Sequence, residues 1–189
     1  ALRARRPRDG HYTLRAHGGP RVFSQTNDAV AESLAEAIGA HTPAGQSLLI
    51  DAYCGAGFFA KRLREKFTRT VGLDWDIHAI AAAETEAAPN ESYFAGDLAQ
   101  RLEFELSRAD LGSTTVIVDP PATGLSPDVR EILRSYPAAT LLYVSCNPPT
   151  LARDLAELGA GYTLRSVTPF DMFPQTAEIE ALAHLSHIR

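Results

Sequence analysis

Ser47-Leu-Leu-Ile-Asp-Ala-Tyr53, then Cys54-Gly-Ala-Gly57, then Phe58-Phe-Ala-Lys-Arg-Leu-Arg-Glu-Lys-Phe67 reads as a strand, a glycine turn and a helix without interruption. The first run is apolar on either side of its single acid, the pattern of a strand buried on both faces. In the last run Phe59, Leu63 and Phe67 recur at helical spacing on one face. The same unit then repeats. Thr70–Asp74 is a strand followed by a helix to about Ala88, and Ser92–Ala95 is a short strand followed by a helix over Leu98–Ser107. Thr115–Val118 is a strand before a helix over Pro127–Ser135, and Thr140–Ser145 is a strand before a helix over Pro149–Leu158, closed by Gly159. Five such alternations predict a doubly wound α/β domain with a parallel sheet, right-handed crossovers and helices on both faces. Tyr162–Pro169 and Ile179–Leu185 are strand-like with no helix between them, which predicts a terminal antiparallel hairpin.

Upstream of Ser47, an alanine-rich amphipathic helix follows Phe23-Ser-Gln-Thr-Asn27, with Thr26 or Asn27 as its N-cap and Gly39 just past its end. Residues 1–22 read as an arginine-rich arm, and residues 23–189 as one domain. Residues 1–21 hold six arginines against one acid, leaving 12 of the 18 bases and 22 of the 23 acids to the rest of the chain. A basic arm on an acidic body suits a polyanion such as RNA, although a solvated terminus has the same composition. The arm is also consistent with the remnant of a preceding domain. Hydrophobic residues make up 45% of the 189 and charged residues 22%, the balance of an ordinary globular domain. No run reaches the roughly 18 apolar residues of a membrane span, so a membrane role is not expected. The two cysteines, Cys54 and Cys146, are too few for a disulfide framework or an iron–sulfur cluster and lack metal-ligand spacing. The expected setting is a reducing cytoplasm, with no metal and a monomeric domain.

In a doubly wound sheet the ligand sits beyond the carboxyl ends of the strands. Gly55 and Gly57 follow the first strand and allow a tight turn close to a ligand. Asp74 ends the second strand, where a carboxylate can accept from both ribose hydroxyls of an adenosine. Asp97 follows the third strand and can meet an adenine amino group; each acid can also serve simply as a helix N-cap. Up to this point a nicotinamide dinucleotide fits as well as S-adenosylmethionine, since Ala60 is a permitted third position of the dinucleotide fingerprint. Val118-Asp119-Pro120-Pro121 then ends the fourth strand and holds Asp119 at the mouth of the cleft, an element that dehydrogenases do not need. The fifth strand ends at Tyr143-Val-Ser-Cys146, placing Cys146 at the head of a helix whose positive end and N–H groups favour a thiolate. Cys54, in the cofactor loop, reads as packing.

Five ordered segments carry a family resemblance: FSQTN at 23–27, DAYCGAG at 51–57, DPPATG at 119–124, YVSCNPPTLARDL at 143–155 and DMFPQTAEIE at 171–180. On these the chain resembles the RNA 5-methyluridine methyltransferases of transfer and ribosomal RNA, over nearly its whole length from Phe23. The resemblance implies the Rossmann-like class I methyltransferase fold and S-adenosylmethionine as methyl donor, leaving S-adenosylhomocysteine. It makes Cys146 the nucleophile that adds to uracil C6, and Glu180 the base that removes the C5 proton. It lines the donor with Gln25, Tyr53, Asp74 and Asp119. A thiolate addition is required because C5 of uracil alone is too weak a nucleophile for the methyl group.

The pattern is departed from at three positions. Ala122 stands where the family usually has arginine, Glu178 where it usually has histidine, and Phe58 where threonine or asparagine is frequent. Glu178 would add a second carboxylate on the same strand side as Glu180. An N-terminal RNA-binding barrel, common in the family, is not part of this chain. The alternatives are a weakly active or non-catalytic RNA-binding member and a methyltransferase for another base.

Overall fold

The computed structural model describes residues 28–171 and 179–188. The arginine arm, Gln25, the N-cap at Thr26 or Asn27, and Glu178 therefore lie outside the described residues. Seven strands form one sheet: β1 (Gln46–Ala52), β2 (Phe67–Asp74), β3 (Glu91–Ala95), β4 (Thr114–Val118), β5 (Thr140–Ser145), β6 (Tyr162–Phe170) and β7 (Glu180–His187). The helices are α1 (Asp28–His41), α2 (Phe58–Leu63), α3 (Ile77–Thr85), α4 (Leu98–Leu106), α5 (Pro127–Ser135) and α6 (Pro148–Leu158). The strand order is β3-β2-β1-β4-β5-β7-β6. The first five strands pair in parallel, while β7 runs antiparallel between β5 and β6. This is the Rossmann-like methyltransferase fold, with the expected antiparallel hairpin at its C-terminal end. The order reverses between β1 and β4, which puts the ligand crevice above those two strands.

The alternation of β1 divides the core. Leu48, Ile50 and Ala52 join Leu102, Leu106, Val129, Leu133, Leu151 and Leu158 from α4, α5 and α6 on one face. Leu49 turns to the other face, against Leu34 and Ile38 of α1 and Phe59 and Leu63 of α2. Burying both faces removes strand β1 from water and fixes its register, since a one-residue slip would exchange the two sets.

Several boundaries differ from the sequence reading. The α1 helix runs through Gly39 to His41; a Cβ at Gly39 would meet Leu63 of α2 at 3.6 Å, an ordinary contact, so packing does not require glycine at that position. The helix after Gly57 ends at Leu63, and one 3₁₀ turn over Arg64–Lys66 brings the chain to Phe67. Phe67 is extended and opens β2 rather than closing a helical face. The third helix stops at Thr85, three residues before the expected Ala88.

Candidate functional site

The carboxyl ends of β1, β2, β4, β5 and the start of β7 converge on one edge of the sheet. Tyr53 follows β1 with φ 66°, the single non-glycine positive φ among the described residues. A bulky side chain rarely adopts that conformation, and such strain persists where surrounding structure enforces it. Burial, together with the charges of Asp154 and Asp74, pushes the Tyr53 phenol up to about 12. The turn that follows places Gly55 at φ 54° and Gly57 at φ 82°. At Gly57 a Cβ would lie 2.7 Å from the Tyr93 hydroxyl, so glycine is required by both backbone and space. Tyr93 forms the floor of the turn, its hydroxyl donating to Glu91 at 2.7 Å.

Asp74 and Asp97 play different parts. Asp74 is buried and holds the turn, one oxygen accepting from Gly55 N at 2.8 Å and the other from Asp76 N at 2.9 Å. The N-cap of α3 is Asp76, so Asp74 is not a cap. A carboxylate offers about four acceptor directions, which leaves Asp74 capacity for two hydroxyl groups. Asp97 is the N-cap of α4, accepting from Gln100 N at 3.1 Å, so the capping role read from the sequence is fulfilled. Trp75, 77% exposed beside Asp74, is an apolar platform that the sequence reading passed over.

Asp51 was also passed over. It is fully buried beneath the turn, with one oxygen accepting from Ala60 N at 2.9 Å and the other without a hydrogen-bond partner. Burial, with a smaller contribution from the Asp74 charge, pushes its carboxyl up to about 7. An acid at the head of the glycine segment was the available signal. Cys54 lies beside it, buried in a cluster with Ala60, Ile80, Ala83 and Tyr93. Burial, then the charges of Asp51 and Asp74, push that thiol upward, which makes it an inert packing group.

On the other side of the crevice, Asp119 follows β4, its N–H donating to Ala52 O at 3.2 Å. Burial and the neighbouring carboxylates of Glu180 and Asp51 push the Asp119 carboxyl well above the usual range. Glu180 opens β7 and is half-buried, and burial pushes it up to about 7. In the β5–β7 register Ser145 pairs with Ala181, and Cys146 and Glu180 are the residues next to that last pair, one following β5 and the other opening β7. The Cys146 thiol-bearing residue is exposed, in contrast to the fully buried strand before it.

The start of α6 corrects one expectation. Cys146 precedes the N-cap, which is Asn147, and the first two helical residues are Pro148 and Pro149, which have no N–H. The next amide, Thr150 N, donates to the Asn147 side chain at 3.3 Å, and Asn147 N donates to Ser145 Oγ at 3.1 Å. The helix start therefore offers a thiolate its dipole but none of these N–H groups.

Among the described residues, no group of three or more His, Cys, Asp or Glu could hold a metal ion, and no helix is long and apolar enough to cross a membrane. A groove of about 430 Å³ lined by Arg101, Phe104, Arg108 and Tyr136 includes none of these site residues.

The model of the tRNA (uracil-5-)-methyltransferase family matches residues 8–188. The chain belongs to that family. It is 37% identical over 180 residues to the 23S rRNA (uracil(1939)-C(5))-methyltransferase RlmD of Pseudomonas aeruginosa strain UCBPP-PA14, covering 92% of this chain and 40% of that protein. With the RlmD of Pseudomonas fluorescens the identity is 39% over 170 residues, covering 87% and 37%. The crystal structure of Pyrococcus abyssi tRNA (uracil-54, C5)-methyltransferase, in complex with S-adenosyl-L-homocysteine, superposes with a TM-score of 0.71 at 31% identity, over 86% of this chain and 40% of that one. The chain thus spans about two fifths of the length of these relatives.

Proposed function

We propose that this chain is the S-adenosylmethionine-binding catalytic domain of an RNA uracil-C5 methyltransferase, with residues 23–189 as that domain and residues 1–22 as a basic arm leading into it. The observation that carries the reading is the convergence at one strand edge of an exposed cysteine and a half-buried carboxylate. Cys146 and Glu180 adjoin the last β5–β7 pair, Ser145 with Ala181, and the Glu180 charge is near enough to raise the Asp119 carboxyl. The family membership supplies the reaction for which such a pair is suited.

The donor fits the other half of the crevice. Asp74 has acceptor capacity for the ribose hydroxyls, and Trp75 has an exposed face for the adenine. Gly55, Gly57 and Tyr53 bring backbone close to it, Asp97 stands at the head of α4, and Gln25 is assigned to it by family likeness. When bound, S-adenosylmethionine supplies a methyl group on a positively charged sulfur.

The chain's own residues then account for the rest. The Cys146 thiolate adds to C6 of uracil, and the electron pair displaced from the C5–C6 bond makes C5 nucleophilic. After C5 is methylated it still carries its proton. Glu180 removes that proton, the double bond reforms, and the C6–S bond breaks to return Cys146. With a carboxyl held at about 7, Glu180 is poised to take a proton near neutrality and give it up again. A base in folded RNA has to leave its stack to reach this edge. Transfer or ribosomal RNA is the substrate class, as for the relatives named above.

The test is incubation of the chain with methyl-labelled S-adenosylmethionine and unmodified transfer or ribosomal RNA transcripts, followed by nucleoside analysis. Label in 5-methyluridine is the expected result. Label confined to another nucleoside, or none in any RNA, would overturn the reading.

A further inference from the structure

The Cys146 helix ends its second turn in a cluster that the mechanism above does not use. Asp154, fully buried, accepts five hydrogen bonds: from Tyr143 Oη at 2.7 Å, Leu125 N at 2.9 Å, Arg130 Nη1 at 3.2 Å, and Arg153 Nε and Nη2 at 2.9 and 2.7 Å. These donors come from β5, α5, α6 and the segment between Asp119 and α5. Two guanidinium groups and a phenol surround the carboxylate, which compensates its burial. Burial and the Asp154 hydrogen bond push the Tyr143 phenol upward, so it remains a donor.

Further bonds tie the same segment to α6 and α5. Thr150 Oγ1 donates to Ala122 O at 3.1 Å, Arg153 Nη2 to Thr123 O at 3.0 Å, and Arg130 Nη1 to Leu125 O. Gly124 passes so close that a Cβ there would lie 2.3 Å from Thr150 Cγ2 and 2.5 Å from Asp154 Oδ2, at a φ of 79°. The hydrogen bonds that hold the segment are made by its backbone, through the carbonyls of 122, 123 and 125 and the N–H of 125, while the Leu125 side chain is buried in the core. That explains how position 122 can carry alanine without loosening the attachment.

We propose that Asp154 is a positioning residue, which clamps the Asp119–Leu125 segment to the Cys146 helix and so fixes the crevice carboxylate relative to the nucleophile. It touches neither substrate nor donor and acts through the segment and the helix that it joins. The proposal rests on the uracil-methylation reading for its effect on turnover, while the clamp itself is measurable without it. A reacting pair misplaced by even 1 Å loses rate steeply, so loosening the clamp should lower turnover without emptying the donor site.

The experiment compares wild type with Asp154→Asn in hydrogen exchange and in steady-state methylation. The Leu125 amide should exchange at least tenfold faster in Asp154→Asn, with the amides of β1 and β2 unchanged. Turnover should fall about thirtyfold, with KM for S-adenosylmethionine within threefold of wild type. An unchanged Leu125 amide, equal acceleration across the whole sheet, or a loosened segment with undiminished turnover would each overturn the clamp. Should Asp154→Asn fail to fold, Thr150→Val removes only the bond to Ala122. It should lower turnover about threefold at constant KM, and unchanged turnover would overturn the proposal. Wild-type protein that methylates no RNA sinks the uracil-methylation reading, and the exchange measurement then decides the clamp by itself.

Discussion

Cys54 and Cys146 are the same side chain at the ends of two strands of one sheet, and their surroundings are opposite. Cys54 follows β1, is enclosed by Ile80, Ala83 and Tyr93, and has two carboxylates nearby that disfavour a thiolate. Cys146 follows β5, is exposed, and adjoins the last β5–β7 pair, next to which Glu180 opens β7. The difference extends to the halves they belong to. The β1–β3 half is shaped by backbone: a left-handed Tyr53, a glycine turn and N–H groups held by Asp74. The β4–β5–β7 half is shaped by side chains, with carboxylates at Asp119 and Glu180 and an ionic cluster beneath them. On the proposed reading, the first half holds the methyl donor and the second does the chemistry.

The sharpest way to break that comparison is to remove each cysteine. Cys146→Ala should lose methyl transfer by more than about a thousandfold, the scale on which nucleophile removal acts. Donor binding, measured by calorimetry, should stay within threefold, and loss of binding instead would move Cys146 to the donor half. The second effect in size is at Glu180. Glu180→Gln should allow the first methyl transfer but slow product release about a hundredfold, within the range of general-base catalysis. The pH profile gives its sign. The base works only when deprotonated, so wild-type turnover should rise with pH through about 7, where burial holds Glu180. In Glu180→Gln that rise should vanish, and a retained rise would assign the titration to another group.

A smaller effect is expected from the donor half. Native Asp51 holds its proton up to about 7, whereas the unfolded chain releases it near the ordinary carboxylate value. Between those limits the native state binds the extra proton, so its stability falls as pH rises across the window. Asp51→Asn carries no such penalty. In urea unfolding without donor it should gain on wild type by about 1–3 kcal/mol between pH 5 and pH 8. A difference constant with pH would mean that Asp51 does not titrate there. Smallest of all, Cys54→Ala should cost about 1 kcal/mol of stability as a small cavity forms, with turnover within twofold of wild type.

The comparison also indicates where the sequence is legible. The bounds of α5 and β5 were read to the residue, because each starts and stops on strong local signals: Ser126 and Pro127 for one, Ser145 before Cys146 for the other. Gly39 and Phe67 misled because neither residue decides its own setting. A glycine can lie inside a helix as well as just past its end, and the apolar Phe67 fits a helical face and a strand start equally well. At the site, Cys146, Asp74 and Asp119 stand at the strand ends that the alternation predicts. What sequence could not show is which groups spend one another's hydrogen bonds. Two prolines and Asn147 remove the N–H groups expected for the thiolate, and Asp154, inside a quoted segment, emerged only with its five donors in place.

The most direct test of the central claim is covalent trapping at Cys146. RNA with 5-fluorouracil in place of uracil, incubated with S-adenosylmethionine and the wild-type chain, carries fluorine where Glu180 would take a proton. The reaction should stop with C6 bonded to Cys146, giving a protein–RNA species that survives denaturing electrophoresis and maps to the peptide around Cys146 by mass spectrometry. Cys146→Ala should give none. No trapped species with wild-type protein, or an equal yield with Cys146→Ala, would contradict the account.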